Sequence, residues 1–203
     1  MAIHLHAGDL PDGLSFGDSV AIDSEAMGLN PHRDALTVVQ LSAGDGDAHI
    51  VQLRRDYQAP NLQRLLADGS VLKLLHYARF DVAMFMHHLG VETRPIYCTK
   101  IASKLARTYT DRHGLKDVTR ELLGLELSKQ QQSSDWGADQ LTPEQLNYAA
   151  SDVLSLHALK GRLDAMLDRE GRTALAQACF DFLPVRARLD LAGWADQDIF
   201  AHS

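Results

Sequence analysis

Between residues 19 and 53, apolar and β-branched runs alternate with short polar breaks. "SVAID", "LTVVQLS" and "AHIVQL" each read as a strand, and "GDGD" at 44–47 supplies the turn between the second and third. This pattern predicts an opening of three antiparallel strands. "APNLQRLLAD" then has the spacing of a short helix, "VLKLLHY" that of a buried strand, "RFDVAMFMHHLG" that of a helix stopping at Gly90, and "PIYCT" that of a further strand. Beyond residue 99 the period becomes helical in "KIASKLART" and "LKDVTRELLG". A long element follows from the "TPEQ" start at Thr142, with Pro143 in its first turn, towards Arg169. "LSKQQQSSDWG", Leu127 to Gly137, is polar and reads as a loop.

A meander followed by strand–helix–strand units and a helical end predicts an α/β fold. The expected form is a mixed five-stranded sheet flanked by helices, of ribonuclease H-like architecture. With 203 residues, 45% of them hydrophobic and 23% charged, the chain fits a single domain over residues 1–203. No apolar run approaches the roughly 18 residues needed to cross a bilayer, and the start "MAIHLHAGDLPDG" lacks the basic and apolar regions of a signal peptide, so a cytoplasmic protein is expected. Cys98 and Cys179 lie far apart with no CxxC spacing, which implies neither a zinc site nor a disulfide framework. A net charge of -7 argues against gripping long nucleic acid by the overall field. A local cationic stretch remains: from Arg94 to Arg120, seven Lys and Arg face two Asp.

The chemistry lies in the carboxylates. Strand side chains alternate, so in "VAIDSEAMGL" Val20 and Ile22 can face the core while Asp23 and Glu25 share a face near the strand's carboxyl end, where α/β sheets hold ligands. "HYARFD" places Asp81 just past an apolar strand, and "NYAASD" sets Tyr148 and Asp152 one turn apart on a helix face. Each alone has a plain structural role: a solvated pair, a helix cap, a half-buried tyrosine beside a surface acid. Together, four carboxylates at one sheet end would repel unless cations neutralise them. All-oxygen ligands suit Mg²⁺ or Mn²⁺, and two such ions about 4 Å apart make the clamp used for phosphodiester cleavage.

D-x-E on the first strand, the aspartate ending "HYARFD" and Y-x-x-x-D on a late helix resemble the three exonuclease motifs of the DEDD superfamily, in the tyrosine-bearing branch typified by ribonuclease D. "CTKIASKL", "HGLKDV" and "SKQQQSSDWG" add to that likeness. The whole sequence, through the ending "DIFAHS", is similar to the nanoRNase C family of diribonucleases. The resemblance implies a DEDD exonuclease fold and 3′ to 5′ hydrolysis of very short RNA such as pGpG. It further implies two Mg²⁺ or Mn²⁺ ions held by Asp23, Glu25, Asp81 and Asp152, and Tyr148 positioning the attacking water. A ring-shaped homo-octamer is implied as well.

A dinucleotide needs a closed pocket with a concentrated cationic cap for its 5′ phosphate. Arg107, Arg112 and His113, with Tyr109, are the candidates, acting in their own site or a neighbour's. Met27 or Leu29 is placed to lie against a base, and His76 and Phe80 to line the pocket. Broader ribonuclease D-like trimming, a DNA exonuclease or a catalytically dead binding module remain alternatives, though none of the four acids is lost. The tail "FLPVRARLDLAGWADQDIF" carries Leu183, Val185, Leu189, Leu191, Trp194, Ile199 and Phe200, apolar surface expected to pack back on the domain or to build the oligomer.

Overall fold

Val20, Ala21 and Ile22 are wholly buried in consecutive positions, which requires a strand covered on both faces. That strand, β2 (Ser19–Ala26), lies inside the sheet in the computed structural model, which describes residues 2–128 and 130–202. It pairs antiparallel with β3 (Leu36–Ser42), and β3 pairs antiparallel with β4 (Ala48–Gln52). On its other side β2 runs parallel to β5 (Leu72–Leu75), which runs parallel to β6 (Ile96–Cys98).

The predicted five strands are therefore present, and a sixth joins them. β1 (Ile3–Ala7) adds parallel to β4, giving the order β1-β4-β3-β2-β5-β6. "IHLHA" does alternate, but with histidines between its apolar positions, and Leu5 stays half exposed, as suits an edge strand.

The helices are α1 (Pro60–Ala67), α2 (Ala78–His88), α3 (Thr99–Ala106), α4 (Leu115–Leu123), α5 (Pro143–Leu154), α6 (Leu156–Arg169) and α7 (Thr173–Leu189). The long element expected from Thr142 to Arg169 is thus two helices divided at Ser155, with no glycine or proline to announce the break. One large apolar cluster joins β2, β5 and β6 to α2, α3, α6 and α7, while a smaller one sets Ala149 of α5 against Val38, Ile50 and Trp136. α5 therefore lies over the sheet face that carries the acids of β2. A capping box starts it: Thr142 Oγ1 accepts from the Gln145 amide at 3.2 Å, and Gln145 Oε1 accepts from the Thr142 amide at 2.8 Å. The Gln145 side-chain amide also donates to Ser134 Oγ at 2.8 Å and to the Asp135 carbonyl at 2.9 Å, tying the 130–137 loop to that start. Lys129, within the predicted loop, lies outside the described residues.

The tail is divided. α7 folds back and buries Phe180, Leu183 and Ala187, whereas Val185, Trp194, Ile199 and Phe200 stay substantially exposed.

Candidate active site

Pairing register places the first acids. Asp23 sits opposite Gln40 and Glu25 opposite Val38, and the ladder slips between Glu25 and Ala26, where the strand leaves the sheet. Gln40 is fully buried in β3 and donates from Nε2 to Asp23 Oδ2 at 2.7 Å, fixing that carboxylate's orientation. Asp81 comes from the first turn of α2, entered through Tyr77 at φ +62°, and accepts a 2.6 Å hydrogen bond from Ser24 Oγ. Asp152 and Tyr148 project from α5, one turn apart.

Asp23, Glu25 and Asp152 each offer a carboxylate oxygen within 4.8 Å of the others. Asp81 stands outside that close set, held by Ser24, yet it is near enough to raise the pKa values of both Asp23 and Glu25.

Among the described residues, no Lys or Arg forms an ion pair with any of the four acids. The electrostatic result is severe. Burial, then repulsion from Asp152 and Asp81, pushes Glu25 up to about 9. Burial lifts Asp152 to about 7 against the hydrogen bond from Tyr148, and lifts Asp81 to about 7 against the one from Ser24. Asp23 is raised well above the ordinary range by burial and then by Asp81, Asp152 and Glu25. The same burial, followed by the charge of Asp152, raises the Tyr148 phenol and keeps it protonated. All-oxygen donors with excess negative charge, ion-paired to no Lys or Arg among the described residues, fit hard divalent cations.

Two adjoining cavities share Ser24, Glu25 and Gln132. The one of about 290 Å³ contains Asp23, Tyr148 and Asp152 and is also lined by His76, Lys100, Lys116 and Ser128. The other, about 330 Å³, is lined by Met27, Leu29, Phe80 and Trp136. Met27 packs closely on the 130–137 loop: a Cβ at Gly137 would lie 2.8 Å from its sulfur, so a larger residue there would push the Met27 side chain aside. His76 accepts or donates through Nδ1 to Thr99 Oγ1 at 2.8 Å, and burial drives its pKa down to about 3, so it is neutral.

The sequence-predicted set is therefore split. Met27, Leu29, His76 and Phe80 line the groove, as expected. Arg107, Tyr109, Arg112 and His113 do not line the carboxylate cavity.

For Arg107, a free cap is the wrong description. Its guanidinium is wholly buried, paired with Glu121, and donates to Ser103 Oγ at 2.9 Å and to the Arg112 carbonyl at 2.8 Å. The Tyr109 hydroxyl also donates to Glu121, and His113 Nδ1 is hydrogen-bonded to Ser103 Oγ at 2.9 Å. Sequence reasoning missed Lys100 and Lys116, the cations that do line the cavity, as well as Ser24 and Gln40. A lone glutamine within "LTVVQLS" was the available signal for Gln40.

The fold and the paired carboxylates define a class, and residues 9–168 match the model of the 3′–5′ exonuclease family, so the chain belongs to that family. Within it, the chain is similar over its full length to NrnC of Brucella melitensis solved with bound Mg²⁺, at 55% identity and a TM-score of 0.96, covering 100% of both chains. The same protein bound to pGG matches at 56% identity, again over 100% of both chains, with a TM-score of 0.96. Ribonuclease D of Granulibacter bethesdensis is 33% identical over 155 residues, 76% of this chain but 39% of the relative, so the chain spans about two fifths of the length of that curated relative.

Proposed function

We propose that this exonuclease hydrolyses very short RNA from the 3′ end, with diribonucleotides such as pGpG as its main substrates, and that it does so with two divalent cations, Mg²⁺ or Mn²⁺. The observation that carries this reading is the partly buried carboxylate cluster, ion-paired to no Lys or Arg among the described residues, that opens into a groove of two small cavities. Full-length likeness to an NrnC solved with pGG supports the substrate class.

Asp23, Glu25, Asp81 and Asp152 would hold the cations, which when bound supply charge neutralisation and Lewis acidity at the scissile phosphate. Gln40 and Ser24 hold Asp23 and Asp81 in place for that task. Tyr148, protonated throughout the working range, hydrogen bonds to Asp152 and orients the attacking water. Lys100 and Lys116 face the substrate's phosphates. Met27, Leu29 and Phe80 offer an apolar wall for a base.

Residues 1–203 act as one exonuclease domain, and the segment from about 180 serves packing and subunit contacts. The exposed Val185, Trp194, Ile199 and Phe200 suit burial in a homo-oligomer, for which eight subunits is the expected number. In such a ring, the exposed Arg112 would reach towards a neighbour's groove, beside the exposed ring of Tyr109, whose hydroxyl is held by Glu121. Among the described residues no helix is long and apolar enough to cross a membrane, and we place the enzyme in the cytoplasm.

The test is hydrolysis of 5′-labelled RNAs of two to ten nucleotides beside DNA of the same lengths. The dinucleotide should be consumed fastest, and removal of its 5′ phosphate should cost about 1.5 to 3 kcal/mol in kcat/KM, the scale of hydrogen bonds to a charged group. A five-nucleotide RNA shortened as readily as pGpG, with indifference to the terminal phosphate, would make the protein a general ribonuclease D-like trimmer. Preference for DNA would make it a DNA exonuclease.

A further inference from the structure

Leu29 and Phe80, the apolar wall beside the carboxylates, line the 330 Å³ cavity of the groove and also a separate cavity of about 430 Å³. The wall dividing the two is therefore one side chain thick, and Leu29 is 84% exposed, with little packing of its own to hold it. The rear cavity is closed by the chain beyond α7, through Asp190, Ala195 and Asp196. There Asp190–Trp194 makes one wide helical turn, broken at Gly193 with φ +100°. Two guanidiniums share Asp190. Arg79 donates from Nε to Oδ2 at 2.6 Å and from Nη2 to Oδ1 at 2.8 Å, and Arg186 Nη2 lies 2.6 Å from Oδ1. The Ala195 carbonyl accepts from the same two arginines, at 2.7 Å from Arg79 and 3.0 Å from Arg186. From the other side, His32 Nε2 donates to the Leu191 carbonyl at 2.9 Å. Arg79 immediately precedes Phe80 in the first turn of α2, and His32 follows Leu29 by three residues, so one turn of chain is tied to both halves of the wall.

We propose that Arg79, Asp190 and His32 are positioning residues for the substrate: the turn at 190–195 holds Phe80 and Leu29 at the spacing that receives a base, and so sets how tightly a short RNA binds. This rests on the reading of Leu29 and Phe80 as the base wall. A bidentate arginine–carboxylate pair fixes angle as well as distance. With the Asp190 side chain only 12% exposed and engaged by two arginines, this network escapes most of the screening that makes isolated surface pairs weak. The metal site is anchored separately, because Ser24 Oγ holds the Asp81 carboxylate from β2. Release of the turn thus moves the wall and leaves the acids in place, which predicts an effect on KM and not on kcat.

The test is steady-state hydrolysis of pGpG in Mg²⁺ by the full chain carrying Asp190→Ala, Phe80→Ala or both. Phe80→Ala should raise KM by about tenfold, the scale of one lost base contact. Asp190→Ala should raise KM by a similar factor, with kcat and Mg²⁺ affinity within about twofold of wild type. The double variant should be no worse than the weaker single one, since the turn acts through Phe80. His32→Ala leaves the arginine–carboxylate network intact and so serves even where Asp190→Ala does not fold; it should raise KM by about threefold or more, and His32→Gln, which keeps an N–H donor, should restore it. Effects that multiply in the double variant, an unchanged KM in the folded Asp190→Ala and His32→Ala proteins, or a fall in kcat with KM preserved would each overturn the proposal. A wild-type KM in Phe80→Ala would instead remove the base wall itself, and with it any role for the turn that supports it.

Discussion

Two groups of buried charge are built on opposite terms. Arg107 is wholly buried yet satisfied at each face of its guanidinium by Glu121, Ser103 and the Arg112 carbonyl, and its partner Glu121 is held below the usual carboxylate range chiefly by the hydrogen bond from Arg107. The four acids of the groove have no cationic partner among the described residues, and each is held well above that range. A satisfied buried ion supports the fold. An unsatisfied cluster destabilises the metal-free protein and is kept ready for something absent from the chain itself. That contrast separates a structural arginine from the carboxylates proposed as metal ligands even though both stand out in the sequence as charges amid apolar runs.

Mutation should break the contrast most visibly at the acids. Asp23→Asn, Glu25→Gln, Asp81→Asn and Asp152→Asn are each expected to lower kcat by about a thousandfold or more. The metal-free variants should melt at or above the wild-type temperature, because repulsion is relieved. Steady-state kinetics paired with thermal melts measures both, and near-normal turnover in any variant removes that residue from the site. Arg107→Ala should do the reverse, costing roughly 1 to 3 kcal/mol of stability by leaving the buried Ser103 hydroxyl and the Arg112 carbonyl without their donor, with the solvent-accessible Glu121 adding little, while turnover per folded molecule stays close to wild type. Denaturant titration decides this one; a stable Arg107→Ala protein with weakened substrate binding would return Arg107 to the substrate.

Tyr148→Phe sharpens the picture within the site. Loss of the hydroxyl should slow hydrolysis by about tenfold to a hundredfold and leave metal affinity intact. A fall in metal affinity equal to that of Asp152→Asn would make the tyrosine part of the ligand set instead.

The smallest effect is on stability against pH. Glu25 titrates near 9, and Asp81 and Asp152 near 7, all above their unfolded values. Raised carboxyl pKa values favour the folded state at low pH, and that contribution is lost as pH climbs through 7 towards 9. The melting temperature of chelated protein should therefore fall across that window, and Mg²⁺ should flatten the decline. A metal-free melting temperature that rises from pH 6 to 9 would contradict the uncompensated cluster.

Much of this was legible beforehand, for reasons of period and chemistry. Three strands announced themselves by β-branched runs and two by short apolar runs beside helical patterns, and Asp23, Glu25, Asp81, Tyr148 and Asp152 each stood where a strand end or a helix face could bring them together. What escaped depended on contacts between segments distant in sequence. Arg107 read as a free cation because Glu121, which neutralises it, lies fourteen residues on and reaches it only after α3 and α4 have packed. Ser24 reaches Asp81 across 57 residues, a contact that neither local sequence shows. β1 was missed because histidines separate its few apolar positions, and the division of α5 from α6 because Ser155 carries no breaker signal. Lys100 was visible as a helix cation, but its place in the groove depends on where β6 delivers the start of α3 and on how α3 packs against α6 and α7.

The central claim is that the groove's carboxylates hold protons until cations displace them. Isothermal titration of chelated protein with Mg²⁺, repeated in buffers of different ionisation enthalpy, counts the protons released. With Glu25 titrating near 9 and Asp81 and Asp152 near 7, binding at pH 7 should release about two protons, one from Glu25 and about half from each aspartate. Release should decline towards zero, and affinity should rise, as pH approaches 10. Mg²⁺ binding of constant affinity across that range, with no proton released at pH 7, would show that the acids are already ionised and stabilised by the protein, and would contradict the account.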